Sequence, residues 1–591
     1  MRNSAAEENF EDRARLDGRI ALAIATFATA YGLVALLDRV GAPERLVALV
    51  SPYFTVVALA ALGFLLHSMR VSFYYAAGRA APAAYAGFAE AALVTGLAAP
   101  FAARLTGSGS PLGVTLGLLL GVALIGALTG PLLRKTGAFS LSDLLAARFS
   151  RMEPRLGMIG VAALTSAIVA LAGYQTAVDA LVGFTGAGRP FAAFFIGAAI
   201  LLIAGPGGVG GVLWSACAAA GVLIAGFALP QIALMLEGFP TPLPLIGDEA
   251  AWSEATRIIE NWRLARPAPV ALEITTALGL ALGLATLAPA LTPAVATRDA
   301  AAARRAGVAA MFWTLTAAAL ITATIASSAL IVSNVAVGQT PERLPESIYS
   351  ASSRGLVQIC GAKVDGPAQA RAACLARKLP PAAPLRPEDI SVRAEFLIGG
   401  LPQLAKLGAA LTGLLASGII AAGLALASAS LHACAAAVGH DALYRLRAES
   451  ALTSRRLAIT RVALVGVTAV GSATSAANAI DARTLVGIAL ALSAAGFVPL
   501  IGLALFPRAQ DRDAMIGQLA GLATMAVTLV VDQAPPDVEQ LAWAGLCGAI
   551  AGLLAGGFSA QAFSQETPES RNFVEQILRG DGNVLREDKG V

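Results

Sequence analysis

Apolar runs long enough to cross a bilayer recur from Ile20 almost to Ala560, and they dictate what this chain can become. Backbone in hydrocarbon must satisfy its own N–H and C=O groups, so a run of about 20 apolar residues reads as a helix. One such run would make an anchor or a secretion signal; many make a polytopic α-helical membrane protein. Of 591 residues 57% are apolar and 14% charged, against about 25% charged in soluble chains, which excludes a soluble enzyme. The formal net charge of +4 is spread over short loops. It bears on topology and gives no reason to expect a nucleic-acid partner.

Fourteen spans are expected, near 20–37, 53–69, 81–103, 111–133, 156–183, 190–204, 215–236, 270–296, 306–334, 407–438, 457–478, 483–506, 513–531 and 540–558. Arg70, Arg79, Arg134, Lys135, Arg148, Arg151, Arg155, Arg304 and Arg305 then fall on one side, with Arg445, Arg447, Arg455, Arg456, Arg508 and Arg512. The positive-inside rule makes that side cytoplasmic, with both termini inside. The two long loops, 237–269 and 335–406, face outward. The first residues lack a small-residue cleavage site, so Ile20–Leu37 reads as a retained helix.

Five cysteines, Cys217, Cys360, Cys374, Cys434 and Cys547, form no C-x-x-C pair or His/Cys cluster, so no metal site is expected. Three lie in apolar spans, where cysteine packs as a small residue. Cys360 and Cys374 share the outer loop and can form a disulfide if it faces an oxidising compartment.

Glycine and proline interrupt two spans: Gly87, Gly96 and Pro100 in 81–103, and Gly279, Gly283, Pro289 and Pro293 in 270–296. Any single glycine is read as helix packing. A pair of interrupted helices at corresponding positions instead points to a transporter built from inverted repeats. Spans three to seven and eight to twelve are the two five-helix repeats on this reading. The chain divides into a cytoplasmic N-terminus with an extra helix (1–51), a helix before the core (52–80), the first repeat (81–237) and an outer loop (238–269). The second repeat (270–506) includes the outer loop 335–406; two peripheral helices (507–558) and a cytoplasmic tail (559–591) complete it.

Glu90 sits mid-span. A carboxylate there costs at least about 2.5 kcal/mol, so it faces a cavity, meets a cation or carries a proton. His432 is read as a packing residue before a proton carrier. Tyr174 and Gln175 either bond solute or tie helices together. Thr95, Thr275, Thr276 and Thr286 are cavity hydroxyls unless they bond their own backbone. Segment 140–155 reads as an interfacial connector, and the tail carries Val574, Ile577 and Leu578 as a short helix.

Four segments, in order, resemble the sodium:solute symporter family. Phe73-Tyr74-Tyr75-Ala76-Ala77-Gly78-Arg79 is similar to its F-Y-x-A-G-R stretch, and residues 134–148, RKTGAFSLSDLLAAR, to its R-x-x-G-x-Y-T-x-x-D-x-x-x-x-R signature. Gly210-Gly211-Val212-Leu213-Trp214-Ser215 resembles the stretch entering a core helix, and His440-Asp441-Ala442-Leu443-Tyr444-Arg445 the exit from another. The set covers roughly residues 52–506, and the extra first helix resembles the acetate-permease-like branch.

The resemblance implies a leucine-transporter-type inverted repeat, alternating access and sodium coupling without a cofactor. It places sodium carbonyls at Ala86 and Ala89, and the remaining ion positions at Ala422, Ala425 and Leu426. Relatives carry hydroxyls where this chain has Ala425 and Leu426, unless a gap brings Ser428 or Ser430 into place. A proton on Glu90 is the alternative coupling ion. The expectation is thus a solute:cation symporter, not an enzyme, that imports a small organic solute such as a monocarboxylate across a bacterial inner membrane. A transporter-derived receptor or regulatory protein is the competing reading.

Overall fold

A computed structural model of the chain describes residues 2–102, 111–243, 247–262, 268–380, 383–444, 453–477, 481–531 and 537–579. Its helices are α1 (Leu16–Arg39), α2 (Glu44–Leu65), α3 (Val71–Ala76), α4 (Ala83–Ala102), α5 (Leu112–Thr136), α6 (Leu141–Arg148), α7 (Met152–Thr185) and α8 (Arg189–Leu236). There follow α9 (Glu249–Asn261), α10 (Val270–Thr286), α11 (Ala288–Val295), α12 (Ala300–Ala336) and α13 (Ala409–Ala442). The chain continues with α14 (Thr453–Ala477), α15 (Ala482–Ala504), α16 (Asp511–Val531), α17 (Val538–Phe563) and α18 (Pro568–Arg579).

Among the described residues twelve helices are long and apolar enough to cross a membrane, or thirteen with the bent pair α10 and α11. The protein is an integral, multi-pass membrane protein. One of the twelve, α8, holds 48 residues, about 72 Å of helix, where the hydrocarbon core is about 30 Å thick. It breaks at Gly208, whose φ of 55° and ψ of −141° suit only glycine. Residues eight apart in a straight helix are about 12 Å apart, yet a Cβ on Gly211 would touch the Ile203 carbonyl. The chain therefore reverses at Gly208, and counting the two halves separately recovers the fourteen expected spans.

Only one of the two expected interruptions is present. Between α10 and α11 the chain bends by 53° at Leu287, and Pro289 opens α11, where its missing N–H costs nothing. Helix α4 instead runs unbroken from Ala83 to Ala102 with Pro100 inside it. Its glycines serve packing: a Cβ on Gly87 would strike the α12 backbone at Ala306 and Ala310, and one on Gly96 the Ala422 carbonyl of α13.

Close contacts come in mates, as two inverted repeats require. Helix α4 packs on α12, and α10 packs on α5 through Gly117 and Gly121. The second helices of the repeats meet at Gly126 and Gly307, each the other's nearest neighbour. The second half of α8 meets α13 through Gly226 and Gly418, and α15 meets α7 through Gly496.

Outside the bundle, α9 and residues 337–404 share one apolar core with the end of α12. It holds the antiparallel strands β1 (Val357–Ile359) and β2 (Ile390–Val392), and Cys360 is bonded to Cys374. On the opposite face α6 is no interfacial connector. Leu141, Leu144, Leu145 and Phe149 are buried in protein, because α18 and the α15–α16 corner cover them: Arg148 lies over the Phe573 ring and donates to the Ala509 carbonyl.

Candidate functional site

Three of the four signature segments converge at one end of the bundle. The Asp441 carboxylate accepts from Ser140 and Ser142, 2.9 Å each, and lies 2.7 Å from His440 Nδ1. The Tyr75 ring sits 4.8 Å from His440, and its hydroxyl bonds Thr460. Arg79 donates to the Gly137 carbonyl and stacks over Phe139. Burial raises the Tyr74 phenol above its usual range, Tyr75 adding to this and the nearby Arg461 guanidinium opposing it. Charge-assisted bonds explain why Asp441 tolerates burial. Arg445 of the fourth segment lies outside the described residues.

His432 packs against this cluster. Its ring stands 5.2 Å from Tyr74 and 6.4 Å from Tyr75, and both ring nitrogens are buried with no hydrogen-bond partner among the described residues.

Glu90 is 1% exposed, and neither carboxylate oxygen has a partner among the described residues. It shares an α4 stripe with Val94, Leu97 and Phe101, at i+4, i+7 and i+11, which pack into the central core. The depth of Glu90 follows from two contacts. Tyr74 and Tyr75, just before α4, meet His432, while Gly96 meets Ala422 and Leu426, so α4 and α13 are antiparallel. Glu90 lies between those contacts, at the middle of the bundle.

That register sets where the residues expected at a sodium site lie. The α4 turn that meets Ala422 and Leu426 carries Gly96, seven residues or about 10 Å beyond Ala89. Ala86 and Ala89 are buried in a cluster shared by α8 and α13, which includes Ala425, and the Cys217 thiol of α8 donates to the Tyr85 carbonyl. The α4 backbone there is regular helix, so its carbonyls are not freed by unwinding. Ala422, Ala425 and Leu426 are buried and bring no side-chain oxygen.

Several expected cavity hydroxyls are spent elsewhere. Thr95 donates to the Ala91 carbonyl and Ser428 to the Ala425 carbonyl. Thr286 bonds its own helix and Ser493 of α15. Tyr174 donates to the Ala193 carbonyl and pairs with Ser472, which ties α7 to α8 and α14. Gln175 is buried beside it.

No family model matches the chain. A segment of 145 residues is 26% identical to an uncharacterized symporter of Cupriavidus necator, covering 24% of this chain and 21% of that one. The chain thus spans about a fifth of the length of the curated relative it matches. The structure superposes on the substrate-bound, outward-open form of a sodium-coupled sialic acid symporter with a TM-score of 0.61 at 15% identity. The match covers 89% of this chain and 99% of that one. The fold is the leucine-transporter type. At that identity the likeness shows the fold alone.

Sequence reasoning missed Ser166 on α7 and Thr314 on α12. Both hydroxyls are buried with no partner among the described residues, like that of Ser430 on α13. The available signal was weak, because serine and threonine in membrane helices normally bond the backbone one turn back.

Proposed function

We propose that the chain is a secondary active transporter, a divergent relative of the sodium:solute symporters, that moves a small organic solute by alternating access. One observation carries this reading: Glu90 has no partner among the described residues and lies at the centre of two inverted repeats, in the middle of a helix with Tyr85 and Thr95 as its other polar side chains. A buried carboxylate without a partner costs several kcal/mol, roughly 3 to 5, and a protein keeps it where a ligand or ion offsets that cost. Coupling is carried by a cation at Glu90, not by sodium at Ala86, Ala89, Ala422, Ala425 and Leu426. The cytoplasmic cluster around Asp441 closes the inner end in this conformation, with the membrane a bacterial inner membrane and both termini inside.

The test is solute accumulation in proteoliposomes under separately imposed sodium and proton gradients. Accumulation driven by one gradient and lost in Glu90→Gln is expected. Accumulation that survives Glu90→Gln with its gradient dependence intact removes Glu90 from coupling. The alanine and leucine at positions 425 and 426 favour a second reading, a transporter-derived receptor. Saturable solute binding with no accumulation under either gradient selects that one.

A further inference from the structure

Resting on the transporter reading, we propose that α18 is an autoinhibitory strap. Docked, it holds α6 and the last turns of α5 against the α15–α16 corner and so restrains opening of the bundle at the Asp441 end. One side of α18 is buried. Ser570, Phe573, Val574 and Ile577 form an i, i+3, i+4, i+7 stripe, whose apolar members pack on Leu132 of α5 and Leu505 at the end of α15. Glu569, Glu575 and Leu578 face away.

The strap crosses from one repeat to the other. Lys135, in the last turn of α5, donates to the Ile577 carbonyl at 2.8 Å. Ser570 donates to the Pro507 carbonyl at 2.6 Å, and Gln510 to the Gln565 carbonyl at 3.0 Å. The first bond reaches the second helix of the first repeat, and the other two reach the corner that follows the last helix of the second. Alternating access in a fold of inverted repeats needs one group of helices to rock against the other. A helix bonded to both opposes that motion.

Through α6 the strap reaches the closed end itself. The start of α6 is fixed to α13 by Ser140 and Ser142 on Asp441. Its last turn is fixed by Arg148, which lies 5.9 Å over the Phe573 ring and donates to the Ala509 carbonyl at 2.6 Å. Between α5, α6 and α15 is a small apolar gap lined by Thr129, Leu132, Leu141, Leu144 and Leu505, with Ile577 of α18 beside them. The last turns of α5 are also set off from the rest of that helix by a π turn, Ile125–Thr129, a place where the i→i−4 ladder is interrupted and a helix can bend. Undocking α18 thus frees the end of α5 and the end of α6, and through α6 it loosens the bonds to Asp441.

The attachment is of a kind that comes undone. At 12 residues α18 is a length at which an isolated helix is marginal in water, so docking and folding of the strap are one event. It follows α17 through the non-helical residues 564–567. One short apolar stripe and the bonds above hold it, whereas α13 is buried over most of its length. Segments with few buried apolar contacts are the ones that open locally while the rest of a fold stays intact.

The test is the rate at which N-ethylmaleimide modifies Cys434 in the purified full-length protein in detergent, read peptide by peptide by mass spectrometry. Cys434 is a buried free thiol of α13, between His432 and the Asp441 cluster. Cys547, about 24 Å along α17 from Phe563, is the internal control. A buried thiol reacts through an opened state, so its rate follows the population of that state. Phe573→Ala combined with Ile577→Ser is expected to speed Cys434 modification about tenfold, since the docked strap loses its two largest buried side chains. The Cys547 rate and the Tm stay unchanged. A chain ending at Ser564 gives at least the same acceleration; if it does not fold, the full-length double variant decides the matter. No acceleration at Cys434 in the double variant overturns the strap. So does acceleration of Cys434 and Cys547 together with a lower Tm, which makes α18 an ordinary part of the folded bundle. Cys434 acceleration in a protein that accumulates no solute in proteoliposomes under sodium or proton gradients keeps the strap and removes the transport reading.

Discussion

Gly173 and Gly423 press their backbones together where the third helices of the two repeats cross. A Cβ on Gly173 would stand 2.8 Å from the Ala427 nitrogen and 3.1 Å from the Gly423 carbonyl, and one on Gly423 would stand 3.0 Å from the Gly173 carbonyl. Without this approach α7 and α13 would separate. Small residues at helix crossings in membranes work in this way, because dispersion rather than hydrophobic exclusion holds the helices.

Gly423→Val is therefore expected to destabilise the fold by about 3 kcal/mol, the upper range for overpacking. Gly221→Ala, where a Cβ meets nothing within 4 Å, is the control and changes Tm little. Equal Tm values for the two variants would contradict the packing argument.

Tyr174→Phe removes a hydroxyl that bonds the Ala193 carbonyl at 2.5 Å and Ser472 at 2.6 Å. The expected loss is about 1 to 2 kcal/mol of stability, with the half-saturating solute concentration unchanged. A raised half-saturating concentration at unchanged Tm would return Tyr174 to the solute site.

Asp441→Asn weakens the bonds from Ser140 and Ser142 and the contact with His440. The cluster around Asp441 loosens by about 2 kcal/mol, since bonds to a charged group contribute about 1.5 to 3. Trypsin cleavage after Arg148 and Arg151 should accelerate, and Ser142→Ala should produce a smaller change in the same direction. Unaltered cleavage in Asp441→Asn would mean the cluster does not hold α6 in place.

Reducing Cys360–Cys374, or replacing Cys360 with serine, opens a loop with 14 residues of separation. A bridge of that length contributes about 3 kcal/mol. Faster proteolysis is expected within 335–406, while the Tm of the membrane bundle stays constant. A fall in bundle Tm would show that the outer domain supports the spans.

The membrane spans were legible because a bilayer demands one simple thing, a run of apolar residues of known length, and a run is visible in one dimension. The break at Leu287 was legible for a similar local reason, since Pro289 lacks an N–H. The matching break in α4 was not there to find. Gly87, Gly96 and Pro100 look the same in the sequence whether they interrupt a helix or let a neighbour approach, and only the α12 and α13 backbones beside them decide. The turn in α8 had a comparable ambiguity, with Gly205, Pro206, Gly207 and Gly208 in succession and the reversal falling on Gly208 alone.

Glu90 stood out in the sequence because charge is costly in hydrocarbon wherever the helix points. The unpartnered hydroxyls did not. Thr314 and Ser430 are two among many intramembrane hydroxyls, and whether a hydroxyl faces its own carbonyl or a shared centre is a matter of register between helices far apart in the chain. By itself the sequence determined that this protein spans a membrane many times, which face meets the arginines and that one carboxylate lies deep, because each follows from transfer free energy along the chain. The tertiary structure alone decided which α4 turn meets Ala422, that Ala86 and Ala89 do not, and which hydroxyls remain free, because these depend on contacts between helices that no single segment encodes.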